Sequence, residues 1–88
     1  MFIEALSDGA VREGISRSDA YLLASQTLLG SALMQISTGL CPAQLKDMVC
    51  SPGGTTIDAV HSLENDGFRA CVMNAVDACA RKAEKMTK

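Results

Sequence analysis

The spacing of apolar residues predicts a chain made of helices. In the first segment, from Met1 to Glu13, residues Ile3, Leu6 and Ala10 share one helical face, and Gly14 ends the segment. No stretch alternates apolar and polar residues for long enough to indicate a strand. We therefore expect an all-α fold of about five helices.

The second predicted helix is the longest and the most apolar. It covers Arg17–Thr38, begins at Ser16 with Asp19 in capping-box spacing, and is closed by Gly39. No charged residue occurs between Asp19 and Lys46, and apolar side chains cover more than one helical face. Polar residues interrupt this run well short of the ~20 apolar residues that a membrane span needs. Because so small a domain cannot surround such a helix by itself, the pattern predicts an obligate oligomer.

Three further helices are predicted in the second half of the chain. After a Gly-Gly loop, Thr55 or Thr56 is expected to cap a helix that ends at the turn Asn65-Asp66-Gly67. The last helix follows from Phe68 to about Met86 and carries a seam of mostly small apolar residues. Before the loop, Pro42 begins a short helix whose expected inward-facing residues are Leu45, Met48 and Val49.

Composition and charge narrow the choice of partners. The chain has 88 residues, eight basic and ten acidic, and a formal charge of −2, so neither nucleic acid nor a membrane is expected as a partner. Because no cysteine pair has CxxC spacing, we expect Cys41, Cys50, Cys71 and Cys79 to be free thiols, buried or half-buried, in a reducing compartment. With one histidine and no paired ligand spacing, no metal site is predicted.

The start of the chain lacks a helix cap. The first helix opens on Met1-Phe2-Ile3-Glu4 with no capping residue ahead of it. This favours the end of a longer helical element cut at residue 1, and a native start methionine is the alternative.

The loop from Ser51 to Thr56 carries the candidate binding chemistry. Gly53 and Gly54 allow backbone N–H groups to converge, and the helix that begins behind them adds unpaired N–H groups and a positive dipole end. The hydroxyls of Ser51, Thr55 and Thr56 are further donors, so a phosphate or a carboxylate would fit. The loop lacks the GK[ST] ending of a nucleotide P-loop and follows a helix, unlike a dinucleotide fingerprint. The alternative is that Pro-Gly-Gly makes only a tight turn and the threonines only cap.

Other residues near the loop are expected to have structural rather than catalytic roles. His61 is expected to be a packed or surface side chain, because nothing in its spacing gives it a catalytic partner. Glu64 and Arg69 flank the Gly67 turn and are expected to pair or to cap. Cys50 adjoins the loop, but no histidine or lysine is placed to activate it as a nucleophile.

The sequence around the loop resembles that of a known enzyme family. The run Leu45-Lys46-Asp47-Met48-Val49-Cys50-Ser51-Pro52-Gly53-Gly54-Thr55-Thr56 closely resembles the signature of pyrroline-5-carboxylate reductases. Two upstream stretches, Phe2-Ile3-Glu4-Ala5-Leu6 with Asp8-Gly9 and Ala24-Ser25-Gln26-Thr27-Leu28-Leu29-Gly30, are also similar to the C-terminal domain of that family. The resemblance therefore covers almost the whole chain.

The resemblance implies an interlocked dimerisation domain of the 6-phosphogluconate-dehydrogenase C-terminal-like type. Residues 1–88 would form this one dimerisation and substrate-binding domain, which pairs with a twofold mate and in the family often builds larger rings of dimers. In the family it follows an N-terminal Rossmann domain that binds NADPH or NADH. These residues contain no GxGxxG and no βαβ pattern, so no cofactor is expected to bind to them alone.

The resemblance also implies a reaction and a site. Reductases of this family convert 1-pyrroline-5-carboxylate to L-proline, and the loop residues matching Ser51, Gly53, Gly54, Thr55 and Thr56 hold the substrate carboxylate. The hydroxyl matching Thr56 lies near the ring nitrogen and is implied to help deliver the proton. We expect activity from the full-length enzyme, in the cytoplasm or an organelle, and none from these residues alone. The rival hypothesis is a non-catalytic helical oligomerisation module whose Gly-Gly loop is only a turn.

Overall fold

The computed structural model describes residues 1–87, which form five α-helices and no strand. The predicted all-α fold is confirmed, including the start of the short helix at Pro42 and the bounds of the second and last helices. The helices are α1 (Phe2–Arg12), α2 (Arg17–Thr38), α3 (Pro42–Val49), α4 (Thr55–Asn65) and α5 (Phe68–Met86).

The chain forms two compact units, and the boundary between them falls inside α3. The first unit extends from Met1 to Leu45, and the second begins at Lys46. The loop with the candidate chemistry lies in the second unit, between α3 and α4.

In the first unit, α1 and α2 pack through small residues. Ser7 of α1 and Ala20 and Ala24 of α2 are the buried residues of these helices. Side chains of this size allow two helix backbones to approach closely. A groove of about 450 Å³ lies beside this contact, and its lining is almost entirely apolar; it includes Leu6, Gly9, Ala10, Ile15, Leu23 and Thr27.

A polar cluster that the sequence pattern did not reveal ties the two helices together. The Arg17 Nη1 donates to the Ser7 Oγ at 3.1 Å and to the Asp8 Oδ1 at 2.6 Å. The same guanidinium lies 5.4 Å from the centre of the Tyr21 ring, within cation–π range. One arginine at the start of α2 therefore satisfies a buried hydroxyl of α1.

The ends of α2 agree with the sequence except for the capping box. Ser16 is the N-cap residue, but its side chain makes no cap hydrogen bond, so the predicted capping box with Asp19 is wrong. Aspartate is one methylene shorter than the glutamate or glutamine that closes such a box. At the other end, Gly39 has φ +69° and donates its N–H to the Gln35 carbonyl at 3.1 Å, as expected for a left-handed glycine cap.

The second unit contains a helical hairpin. The turn between α4 and α5 has Gly67 at φ +73°, with its N–H donated to the Glu64 carbonyl at 3.1 Å. The Arg69 Nε donates to the Glu64 Oε1 at 2.7 Å across this turn, which confirms the predicted pair. In α5, Arg81 and Asp77 form a further ion pair.

Large apolar side chains are mostly exposed on the single chain. In α3, Leu45 is half-buried, but Met48 is 72% and Val49 60% exposed, so the prediction that all three face inwards is wrong for the last two. In α2, Leu29, Leu33 and Ile36 are likewise exposed, Ile36 by 73%. One chain of this length does not supply enough surface to cover every apolar face of its helices.

The four cysteines are free, as predicted. Cys50 is half-buried, but Cys41, Cys71 and Cys79 are exposed, so the prediction that all four are buried or half-buried is wrong for these three. Cys41 directly precedes α3, and Cys71 and Cys79 lie along α5. No helix among residues 1–87 is both long enough and apolar enough to cross a membrane.

Candidate functional site

The loop between α3 and α4 is built on a hydrogen-bonded turn. The Gly54 N–H donates to the Ser51 carbonyl at 3.0 Å, which closes the four residues Ser51 to Gly54 into a β-turn. Pro52 occupies its second position, and Gly53 occupies the third with φ +70°. This is the pattern of a type II turn, in which the third residue needs the left-handed region that glycine adopts without strain.

Gly54 is also the N-cap of α4. Its backbone is extended, with φ −82° and ψ 173°, and no side chain caps the helix. The prediction that Thr55 or Thr56 caps α4 is therefore wrong, because the turn ends one residue earlier and both threonines lie inside the first helical turn. The two hydroxyls are consequently free of a capping role.

Gly54 is closely approached by Ser51. A Cβ added to Gly54 would overlap the Ser51 Oγ and would lie 3.2 Å from the Ser51 carbonyl oxygen. No comparable contact surrounds Gly53, where an added Cβ meets nothing within 4 Å. The two glycines thus serve different purposes, since Gly53 supplies a backbone angle and Gly54 supplies space.

Hydrogen-bond donors collect at the start of α4. The N–H groups of Thr55, Thr56 and Ile57 belong to the first helical turn, which has no internal acceptors for them. No hydrogen bond found within residues 1–87 engages these N–H groups or the hydroxyls of Ser51, Thr55 and Thr56. Of the predicted backbone donors, the Gly54 N–H is the exception, because the turn already uses it.

The site faces solvent and its attraction for an anion is moderate. Ser51, Pro52, Gly53, Thr55 and Thr56 are exposed, and Gly54 is half-buried. The positive end of the α4 dipole favours an anion by roughly 0.3–1 kcal/mol at an exposed position. Asp58 already places one negative charge in the same turn. Binding at this loop therefore depends on the directed donors more than on net charge, as suits a small planar carboxylate.

The remaining predicted residues do not join this group of donors through any contact. His61 is exposed, and Glu64 is engaged by Arg69 at the far end of α4. Cys50 is half-buried beside the turn, and its N–H donates to the Lys46 carbonyl at 3.1 Å. Among the residues that the structure describes, no group of three His, Cys, Asp or Glu side chains could hold a metal ion.

Comparison with known proteins gives a consistent result along the whole chain. Residues 1–86 match the family model for pyrroline-5-carboxylate reductase dimerisation. The pyrroline-5-carboxylate reductase of Escherichia coli (strain K12) is 56% identical over all 88 residues, and that of Methanosarcina acetivorans is 52% identical over 86 residues. The chain spans 33% and 32% of the lengths of these two relatives.

A solved structure shows the same fold. The crystal structure of the Plasmodium falciparum pyrroline carboxylate reductase with NADP bound superposes with a TM-score of 0.94 and 41% sequence identity. The match covers 99% of this chain and 35% of the Plasmodium chain. The five-helix architecture therefore matches one segment of the longer Plasmodium chain.

Proposed function

This chain belongs to the pyrroline-5-carboxylate reductase dimerisation family, and from that membership we propose that it supplies the dimer interface and the substrate-carboxylate loop of such a reductase. The full-length protein reduces 1-pyrroline-5-carboxylate to L-proline with hydride from NADPH or NADH. In this proposal residues 1–88 form one functional domain. The match of residues 1–86 to the family is the observation that carries it.

The loop supports the assignment of the carboxylate. Ser51, Thr55 and Thr56 place hydroxyls at the start of α4, and the first turn of that helix adds N–H groups that lack an internal acceptor. Gly53 and Gly54 bring the backbone to this position without side chains that would obstruct it. The donors hold the carboxylate and thereby orient the ring, and the Thr56 hydroxyl is the group we place near the ring nitrogen for proton delivery.

Residues 1–87 do not themselves fit a nicotinamide dinucleotide. That cofactor binds to the glycine-rich turn of a βαβ unit, and residues 1–87 form helices without a strand. We therefore derive no hydride step from this chain and place the cofactor in another part of the full-length protein. What these residues contribute is binding, orientation and a hydroxyl at the reacting nitrogen.

The dimer is the second half of the proposal. The family is one of dimerisation domains, and the apolar faces left exposed on α2 and α5 offer the surface for a second copy. Larger rings of dimers would use surfaces beyond this one. We expect no nucleic-acid or membrane partner, and we expect the full-length protein to be cytoplasmic or to reside in an organelle.

A ligand titration tests the loop directly. In the 88-residue chain, L-proline or a cyclic carboxylate analogue should shift the amide resonances of Gly53 to Thr56, and in the full-length protein the substrate should be reduced at the expense of NADPH or NADH. Unchanged amide resonances, together with full turnover after Thr56→Ala, would instead favour an oligomerisation module whose Gly-Gly loop is only a turn.

A further inference from the structure

Building on the proposed function, we infer that Gly54 is a positioning residue for the Ser51 hydroxyl, and that it is needed as glycine to leave that hydroxyl room beside the start of α4. The observation is the approach of the two residues. A Cβ on Gly54 would overlap the Ser51 Oγ, and it would also lie 3.2 Å from the Ser51 carbonyl oxygen. The backbone angles of Gly54 do not require glycine, because φ is −82°.

The hydrogen bond of the turn fixes this arrangement. The Gly54 N–H donates to the Ser51 carbonyl at 3.0 Å, so the backbones of the two residues are held at this separation. An alanine at position 54 cannot move away without breaking that bond. The Ser51 side chain is the part that yields, because a serine hydroxyl rotates to another staggered position more easily than the backbone shifts.

The residues of the loop therefore have different roles. Ser51 donates to the carboxylate, and Gly54 acts through Ser51 by leaving it space. Gly53 acts on the backbone of the turn, since its φ is +70° and an added Cβ there would meet nothing within 4 Å, the Ser51 hydroxyl included. The effect on KM of substituting Gly54 should therefore depend on whether the Ser51 hydroxyl is present, whereas the direct effect of substituting Gly53 should not.

A double-mutant cycle in the full-length reductase separates these roles. Ser51→Ala removes one hydrogen bond to a charged ligand, and we expect it to raise KM for the imine about tenfold with kcat little changed. Gly54→Ala should raise KM by a similar factor. In the double variant S51A/G54A, KM should be raised about tenfold rather than about a hundredfold, because the hydroxyl that Gly54 accommodates is already gone.

Gly53→Ala is the matched control. It also replaces a loop glycine by alanine, but it acts by backbone strain and not by contact with the Ser51 hydroxyl, so its effect should persist in the double variant S51A/G53A. A crystal structure of the Gly54→Ala variant should show the Ser51 side chain in a different rotamer with the turn retained. That rotamer change, and the relief in the double variant, are not expected from a general loss of stability.

The cycle distinguishes failure of this inference from failure of the proposed function. If the increases in KM of S51A and G54A multiply in the double variant, or if G54A leaves KM unchanged, Gly54 does not act through Ser51. The inference is then overturned while the enzyme remains a reductase. An unchanged KM in S51A alone overturns it as well. If the unsubstituted full-length protein does not reduce the imine, the proposed function itself fails.

Discussion

The candidate site is built from hydroxyls and backbone amides, with no basic side chain in the loop itself. From Ser51 to Thr56 the loop contains serine, proline, two glycines and two threonines. A hydrogen bond to a charged group contributes about 1.5–3 kcal/mol of stabilising free energy, more than the ~0.3–1 kcal/mol expected from an exposed helix dipole. Directed hydrogen bonds from the hydroxyls and the N–H groups should therefore dominate the binding energetics of the loop, and removal of a hydroxyl is the substitution that tests this.

The Thr56 hydroxyl is the one for which a conservative replacement gives the sharpest test. Thr56→Ala in the full-length reductase should lower kcat/KM tenfold or more, because the hydroxyl proposed to lie near the ring nitrogen is lost. Thr56→Ser retains the hydroxyl and should keep most of the activity. Steady-state kinetics with the imine as varied substrate measure both effects.

Thr87→Ala is the matched control for this substitution. The Thr87 hydroxyl donates to the Glu84 carbonyl at 2.9 Å at the end of α5, and Thr87 is exposed. Its removal should leave kcat/KM unchanged. Equal activity of Thr56→Ala and Thr87→Ala would show that the Thr56 hydroxyl takes no part in the reaction.

Arg17 is the second residue whose role is specific enough to test. Ser7 is fully buried, and the Arg17 Nη1 is a hydrogen-bond donor to its hydroxyl at 3.1 Å. Arg17→Met should destabilise the 88-residue chain by about 1–2 kcal/mol, because a buried hydroxyl loses this partner. Asp8→Asn, which weakens only the exposed ion pair, should lower the free energy of unfolding by less than about 1 kcal/mol.

Ser7→Ala provides the internal check on this explanation. The double variant R17M/S7A removes both the donor and the buried hydroxyl, so it should be more stable than R17M alone in urea unfolding. If S7A makes R17M still less stable, the buried hydroxyl is not the source of the cost, and packing of the Arg17 side chain on Tyr21 is the better explanation.

At the scale of the helices, the ends that glycine or proline specifies were predictable. Pro42 begins α3, while Gly39 and Gly67 adopt left-handed angles after α2 and α4, as their positions in the sequence indicated. The start of α4 was predicted wrongly. The threonines have strong N-cap propensity, but the preceding turn makes Gly54 the N-cap.

The place of the loop between two helices was predictable, and its internal contacts were not. Glycines and hydroxyls before a helix indicate an anion site from sequence alone. The use of the Gly54 N–H inside the turn, and the approach of the Ser51 Oγ to Gly54, depend on the turn type. Arg17 and Ser7 are ten residues apart in the sequence, and their contact depends on how α1 packs on α2. No local sequence pattern therefore indicated it.

The hairpin of α4 and α5 gives a test at this scale. Gly67→Ala should destabilise the 88-residue chain by about 1–2 kcal/mol, because alanine is strained at φ +73°. Gly67→Asn should cost less, since asparagine tolerates the left-handed region. Chemical denaturation of both variants measures the difference. Equal stability of Gly67→Ala and the unsubstituted chain would mean that the turn readily adopts another conformation.

The whole molecule has too little apolar core to account for a stable fold in isolation. The buried apolar residues of the described chain are Ala20 and Ala24, while Leu29, Met73 and Val76 are 59%, 68% and 66% exposed. Ordering a residue costs roughly 1–2 kcal/mol of backbone entropy, which burial of apolar surface has to offset. The surface that supplies this burial is therefore expected to come from a second copy.

Association of the 88-residue chain follows as the last prediction. Light scattering at micromolar concentration should give at least twice the monomer mass of 9.3 kDa, and the unfolding temperature should rise with protein concentration. Leu33→Asp, which places a charge on the exposed apolar surface of α2, should shift the chain to an unstable monomer or to aggregates. Ser18→Asp is the matched control, because it adds the same charge to the first turn of the same helix, where the dipole favours it. A monomer that unfolds cooperatively at a temperature independent of concentration would contradict the prediction, because its stability would then have to come from the single chain alone.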